Sequence, residues 1–264
     1  MPECVEAETA RRQLQKALLG QRLISLLIHD NARIEAPPGP HWRRGRLTSL
    51  TRIGKTLGFV FDQEREMTVS LGMSGSLQLV AASLEKRLPH ERLRLRFEGY
   101  NCALIDPRRF ARIGWGAGRP RGWDILGSIN EIQAPLLFYQ ALKNTSMKLK
   151  IALMDQSKIA GLGNVYANEA LFEAGLRPQR CSNALNKSEI KRLWQALGRV
   201  LSEALALGGI SMRNYEHPDG GKGNYQKKFR IYGHAGELCP RCARVIRRVW
   251  MGQRSTFYCS GCQQ

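Results

Sequence analysis

Pro2 and Glu3 directly follow Met1. A small second residue such as proline normally lets the initiator methionine be removed. The mature chain would then begin with a secondary amine and carry a carboxylate one residue away. An amine can attack a sugar aldehyde carbon and form a covalent iminium, as lysine amines do in Schiff-base enzymes. The iminium of a secondary amine keeps its positive charge without a proton and is a permanent electron sink. An α-amino group titrates near ~7.7–8.0, against ~10.4 for lysine, so far more of it is unprotonated at neutral pH. The neighbouring carboxyl of Glu3 can move protons. Pro-Glu after Met also describes an ordinary N-terminus, so the remaining sequence has to decide between the two.

A second chemical signature closes the chain. Cys239, Cys242, Cys259 and Cys262 form Cys-x2-Cys-x16-Cys-x2-Cys, while Cys4, Cys102 and Cys181 are scattered. An odd total of seven argues against a disulfide framework. The paired spacing instead fits one tetrahedral zinc ribbon, with two knuckles aiming thiolates at one ion. Four protein ligands leave no open position, so this zinc should hold the fold and do no Lewis-acid chemistry. From residue 228 onward Lys228, Arg230, Arg241, Arg244, Arg247, Arg248 and Arg254 face a single acid, Glu237. The whole chain carries 41 Lys and Arg against 22 acids, a net charge of +19. Such an excess predicts a polyanionic partner, nucleic acid first and an anionic membrane surface second. No stretch reaches the ~18–20 apolar residues needed to span a bilayer, and the first residues lack an apolar signal-peptide core. The expectation is a soluble, intracellular protein with a nucleic-acid partner and no membrane.

The elements that must position these groups can be read from periodicity. Val5, Ala7, Ala10, Leu14, Ala17 and Leu18 mark one face of a helix over 5–19, which Gly20 can end. From about 22 to 116 the period is two: Leu57, Phe59 and Phe61 alternate, as do Val69, Leu71 and Met73, and Leu93, Leu95 and Phe97. This predicts a β-sandwich with one polar face, Arg92, Arg94 and Arg96 lying on a solvated side. Residues 117–135, rich in Gly, Arg and Pro, read as a linker. Residues 187–206 read as the clearest helix, with Asn186 and Glu189 as a capping box. Residues 214–227 show no period and read as a mobile loop. The predicted fold is α+β in several parts. A β-sandwich domain spans 2–116, a linker 117–135, a helical domain 136–227 and a zinc ribbon 228–264.

Taken together these motifs resemble the formamidopyrimidine-DNA glycosylase and endonuclease VIII family over essentially the whole chain. The opening PECVEAET is similar to the family's PELPEVET, with Pro2, Glu3, Glu6 and Glu8 kept and Cys4 and Val5 departing. GLGNVYANEALFEAGLRP (161–178) resembles the family's helix–two-turns–helix, and RSTFYCSGCQ resembles its finger signature. The resemblance implies phosphate contacts at Asn164 and Arg254 and an active-site lysine at Lys55. It also implies that Met73, Arg108 and Phe110 enter the DNA stack. Met73 would fill the hole left by an everted base, Phe110 would wedge a base step, and Arg108 would bond the orphaned partner base. Lys150 resembles a lysine of the recognition region, and Tyr225 lies in the segment that caps the lesion, altered here to Gly223-Asn224-Tyr225. Ser70 replaces a frequent histidine, implying a weaker or missing phosphate contact, and Arg244 replaces a small or polar residue, implying surface charge. The implied activity is bifunctional glycosylase and abasic-site lyase on oxidised purines in duplex DNA, with one structural zinc. An endonuclease VIII-like preference for oxidised pyrimidines and a non-catalytic damage sensor remain the alternatives.

Overall fold

The structure, a computed structural model, describes residues 2–116, 122–131, 133–211 and 215–264, leaving out the side chains of His41 and Arg43. The chain divides into two compact units. The first is Met1–Arg119 with Gly208–Asn224, and the second is Pro120–Leu207 with Tyr225–Gln264.

In the first unit, helix α1 (Cys4–Leu18) turns Ala7, Ala10, Leu14 and Leu18 into the core, the spacing its sequence carries. Eight antiparallel strands follow: β1 (Arg22–Ile28), β2 (Gly45–Ile53), β3 (Thr56–Phe61), β4 (Arg65–Ser70), β5 (Ser76–Ala81), β6 (Glu91–Phe97), β7 (Tyr100–Ile105) and β8 (Arg112–Trp115). Their order is β5-β7-β6-β1-β2-β3-β4-β8. The β1–β2 pairing is confined to Arg22↔Arg46 and Leu23↔Gly45, so the sheet is two four-stranded halves with a narrow join. Leu23, Leu95 and Phe97 from one half meet Leu47, Leu57, Phe59 and Phe61 from the other, with Leu14 and Leu18 of α1, in one apolar cluster. Each such side chain contributes roughly 1.5–3 kcal/mol when fully buried, which is what holds the halves and the helix together.

One face differs from expectation. Arg92 and Arg94 are buried, not solvated. Loops on either side fold over that face and bring partners. Arg94 grips both oxygens of Glu91 at 2.6 Å and donates to the Lys86 carbonyl at 2.9 Å. Arg92 pairs with Asp30 at 3.1 Å. A guanidinium can be buried when it is paired and hydrogen-bonded in this way. Strand alternation reports which face a side chain takes, not what covers that face.

The second unit contains β9 (Trp123–Asp124), α2 (Ala134–Lys143), α3 (Leu149–Met154), β10 (Ile159–Ala160), α4 (Asn164–Glu173), α5 (Lys187–Ala206), β11 (Arg247–Met251) and β12 (Arg254–Tyr258). Of the expected linker, residues 117–121 and 132 lie outside the described residues. The rest is not patternless: β9 pairs in parallel with β10, Ile125 is fully buried, and Trp123 packs on Trp194 of α5 with ring centroids 5.6 Å apart. Helix α5 begins at the anticipated capping box, with Asn186 Oδ1 accepting from the Glu189 N–H at 2.9 Å and Glu189 accepting in return. The β11–β12 hairpin docks on α4, where Asn168 Oδ1 accepts the Phe257 N–H at 2.8 Å. Glu169 of the same helix accepts the N–H groups of Arg230, Ile231 and Tyr232.

Residues 208–224, which the periodicity assigns to the helical domain and to a mobile loop, pack in the first unit; 212–214 lie outside the described residues. Gly208 and Gly209, at φ +73° and +74°, turn the chain after α5. A Cβ on Gly209 would lie 2.6 Å from Glu6 Oε1, so only glycine fits. The Ile210 N–H donates to that oxygen at 2.8 Å, and Leu79 on the outer strand β5 donates to the Pro218 carbonyl at 2.7 Å. Contacts this distant in sequence leave no local period to read.

Candidate active site

Pro2 and Glu3 sit buried at the start of α1. Glu3 is the N-cap, in extended backbone, and its N–H donates to Glu6 Oε2 at 2.7 Å. The other oxygen of Glu6 holds Ile210, so one carboxylate ties the N-terminal turn to the 208–224 segment. The positive end of the helix dipole favours carboxylates here.

Lys55 sits beside Gly54 in the tight turn between β2 and β3, closed by the Ile53↔Thr56 pair. Gly54 supplies φ +59°. Arg52 locks that turn onto α1: its Nε pairs with Glu8 Oε2 at 3.1 Å, and its guanidinium donates to the Gly54 carbonyl at 2.9 Å. Burial would raise the Glu8 pKa, but hydrogen bonds from Arg11 and Arg12 and the charges of Arg11 and Arg52 prevail and bring it to about 2. The Cys4 thiol shows that these parts converge. Burial pushes it well above the usual thiol range; the charges of Arg52 and Lys55 pull it down, and those of Glu3 and Glu6 push it up. Cys4 itself is fully buried.

The three stack-entering candidates come together at one place in the first unit. The periodicity through Val69 and Leu71 ends before Met73, which stands 37% exposed in the turn after β4. Arg108 is exposed and lies over the half-buried Phe110 ring at 4.8 Å; Arg33, from another loop, lies over the same ring at 5.3 Å. A Cβ on Gly72 would fall 2.6 Å from the Phe110 carbonyl oxygen, so the two loops touch backbone to backbone. Nothing in the local pattern announced Arg33. It is found through the Ile113 N–H, which donates to the Arg33 carbonyl and pins that loop.

In the second unit Asn164 is the first residue of α4, one position past the Gly163 N-cap, and is half-buried. Asn168 Nδ2 donates to its carbonyl at 2.6 Å. Arg254 opens β12 directly after the Gly252–Gln253 turn, whose φ values of +53° and +58° make a tight hairpin. Helix N-termini and an arginine at a hairpin tip are fitted to phosphate.

Two expected contact residues are placed otherwise. Lys150 is 1% exposed, and its ammonium donates to the Ser255 carbonyl at 2.8 Å and Thr256 Oγ1 at 2.7 Å. It fastens α3 to the strand that presents Arg254. Tyr225 is 2% exposed, its ring between Tyr166 and Phe229 at 5.7 and 5.9 Å. An aromatic among turn-forming residues reads as a loop side chain; here it anchors the short 3-10 helix Tyr225–Lys228 in an aromatic core.

The ligand atoms of Cys239, Cys242, Cys259 and Cys262 lie within 4.8 Å of one another. Sulfurs around a tetrahedral zinc at ~2.3 Å are spaced comparably, so the set fits one zinc with no position left for water. A Cβ on Gly261 would crowd the Arg244 side chain at 2.8 Å and Cys242 Sγ at 3.1 Å, so the knuckle is tightly packed there. Arg244 is exposed beside it, as expected.

A buried Pro2–Glu3 turn beside the Lys55 turn and a basic hairpin with four clustered cysteines are the parts of one class, the DNA-repair glycosylases. Comparison with known proteins narrows the class. The chain matches the formamidopyrimidine-DNA glycosylase N-terminal domain over residues 1–113, the H2TH domain of the same enzymes over 127–216, and the zinc finger found in FPG and IleRS over 236–264. Formamidopyrimidine-DNA glycosylase of Thermus thermophilus is 38% identical, covering 100% of this chain and 98% of its own, and that of Dechloromonas aromatica is 34% identical with 100% of both covered. The crystal structure of the Thermus thermophilus MutM (Fpg) protein superposes with a TM-score of 0.86 at 35% identity, over 99% of this chain and 98% of that one. A Lactococcus lactis Fpg mutant bound to Fapy-dG-containing DNA gives 0.88 at 28% identity, over 100% of both. The chain belongs to the formamidopyrimidine-DNA glycosylase family.

Proposed function

We propose that this protein is a bifunctional DNA glycosylase and abasic-site lyase of base excision repair that removes oxidised purines, such as 8-oxoguanine and formamidopyrimidines, from duplex DNA. The observation that carries the reading is Arg52, which ties the Gly54–Lys55 turn to Glu8 of α1, the helix whose first turn holds Pro2 and Glu3. Asn164 and Arg254 seat phosphates, and the damaged nucleotide is everted at a cost of roughly a few kcal/mol. Once Met1 is removed, the Pro2 nitrogen attacks the anomeric carbon, and the base leaves with the glycosidic electron pair and takes up the proton that the nitrogen gives up. Glu3 donates a proton to the ring oxygen, the sugar opens, and a protein-bound iminium forms. The iminium acidifies the adjacent sugar carbon; loss of that proton expels the 3′ phosphate, and a second elimination expels the 5′ phosphate. Water then releases the enzyme. Lys55 lies beside the lesion phosphate. The zinc is structural and takes no part in these steps.

The cluster of exposed Met73 and Arg108 with half-buried Phe110 favours the purine branch. The burial of Tyr225 favours a second reading at the level of lesion choice, because that ring does not stand ready to cap a purine. A solved neighbour, wild-type Lactococcus lactis Fpg, is complexed with oxidised-pyrimidine DNA. Parallel excision assays on 8-oxoguanine and an oxidised pyrimidine separate the two. No helix among the described residues is long and apolar enough to cross a membrane; a monomer working on the nucleoid in the cytoplasm is the proposed setting.

Borohydride reduction in the presence of abasic DNA tests the chemistry. The processed protein should be trapped as a covalent adduct, and a sample that retains Met1 should not, because its Pro2 nitrogen is an amide. Undiminished trapping with Met1 in place would transfer the reaction to a lysine.

A further inference from the structure

Asp106 opens the DPRRF segment, and its carboxylate is fully buried. It is bonded to both loops that carry the stack-entering cluster. One oxygen accepts the Ser74 hydroxyl and the Arg108 N–H, the latter at 3.3 Å; the other accepts the Ala111 N–H at 2.6 Å. Ser74 adjoins Met73, and Ala111 adjoins Phe110. The carboxylate therefore fixes the backbone on both sides of Arg108–Phe110 and at the tip beside Met73.

Behind it stands Arg92. Its guanidinium pairs with Asp106 at 3.5 Å and with Asp30 at 3.1 Å, and donates to the Asp30 carbonyl at 3.2 Å. Asp30 in turn grips Arg109 at 2.7 Å through both of its oxygens, the hydrogen bond from Arg109 holding the Asp30 carboxyl below its ordinary range. Two acids and two arginines make a charge-balanced cluster spanning the 30–33 loop, the 72–75 turn and the 106–111 segment. Arg109, at φ +59°, has a backbone conformation that L residues rarely take. The cluster holds that strained bend in place. Its cost in buried charge is out of proportion to a surface loop whose sole task is to connect two strands.

We propose that Asp106 is a positioning residue that holds Met73 apart from, but in register with, Arg108 and Phe110, so that filling the vacated stack and reading the opposite base occur as one event. This rests on the reading of that cluster as the stack-entering group. An uncharged amide of the same shape cannot do the same work. The side chain introduced by Asp106→Asn has a single acceptor oxygen, so it cannot hold the Arg108 and Ala111 N–H groups from both of its sides, and Arg92 would lose the charge it faces.

The test is Asp106→Asn in the zinc-bound full chain, beside wild type and Arg108→Ala. The measurements are 8-oxoguanine excision opposite cytosine and opposite adenine, cleavage of a preformed abasic site, and thermal melting. Misplacing a reacting assembly by about 1 Å can cost ~10²-fold, so excision opposite cytosine should fall by one to two orders of magnitude. The cytosine preference, about 5- to 150-fold for one good base contact, should collapse toward unity. Abasic-site cleavage, which needs no base to be displaced, should stay near wild type. A general loss of structure would instead depress both activities together, and that outcome overturns the proposal. So does a cytosine preference that Arg108→Ala abolishes but Asp106→Asn retains. If wild type shows no preference at all, the stack-entering reading itself fails and takes the proposal with it. Should Asp106→Asn not fold, Ser74→Ala removes a single link: slower base excision with intact abasic cleavage upholds the role, and unchanged excision refutes it.

Discussion

At the scale of single residues, the site is built by groups that hold other groups still. Pro2 and Glu3 stand out in the sequence by their types and position, Lys55 only because the motif around it resembles a family. Glu8 shows what such legibility omits. It lies one helical turn into α1 and takes three arginines, Arg11, Arg12 and Arg52, the last from β2, which leads into the Lys55 turn. Its carboxyl is depressed to about 2 from an ordinary 4.5. A depressed acid contributes stability above its unfolded-state pKa, and that contribution is lost as pH falls through the folded value. Glu8→Gln should therefore destabilise the protein at neutral pH, and the gap from wild type should begin to close below about 4.5 and vanish near 2. Denaturant unfolding of both proteins across that window measures it. A gap that stays constant with pH would mean that the carboxylate charge is not what holds the Lys55 turn to the helix. Arg92 and Asp106 were illegible for the opposite reason: their partners come from three loops far apart in sequence.

At the scale of elements, what could be read locally was read. The periodic faces of α1 and α5 and the capping box at Asn186 are contained within a few residues, and the structure has them where the pattern put them. The 208–224 segment and the Trp123–Ile125 stretch carry no period, because their order comes from distant elements such as Glu6, β5 and β10. The β11–β12 hairpin combines both kinds of order. Its knuckles are written in the cysteine spacing, yet its tip is held by Lys150 from α3. Cys259→Ser should unfold the ribbon, since structural zinc supplies on the order of 10–16 kcal/mol of apparent binding energy in isolated finger peptides. One zinc per chain should be found in the wild type and less than one in the variant. Lys150→Met is the subtler case. It leaves the cysteines alone but strands two acceptors of β12, each worth about 1–3 kcal/mol when left unsatisfied. It should keep its zinc and lose DNA affinity, which zinc analysis and a binding titration on the same preparation would show. Full DNA affinity in Lys150→Met would mean that the lysine has no part in presenting Arg254.

At the scale of the whole molecule, the dominant fact is charge. A balance of +19 over 264 residues is a field, not a site. It draws in any polyanion and leaves selection to the few groups with defined geometry. Phosphate contacts position a duplex but carry no sequence information, so Asn164 and Arg254 should matter equally on damaged and undamaged DNA. The Met73, Arg108 and Phe110 cluster should matter only once a lesion is engaged. This division is measurable. If about six phosphates are neutralised, log K should fall with log salt at a slope of roughly −5. Arg254→Ala should flatten that slope by about one unit on any duplex. Asn164→Ala, which removes no charge, should weaken all duplexes alike and leave the slope unchanged. Arg108→Ala would alter the slope as well if its guanidinium rested on a phosphate. If it faces the opposite base, the reading its exposed place over Phe110 favours, the slope on undamaged DNA should be that of wild type. Binding titrations of the four proteins at several salt concentrations decide the matter. An affinity that does not depend on salt would contradict a phosphate-dominated interface. A flattened slope for Arg108→Ala would move that residue from reading bases to holding the backbone.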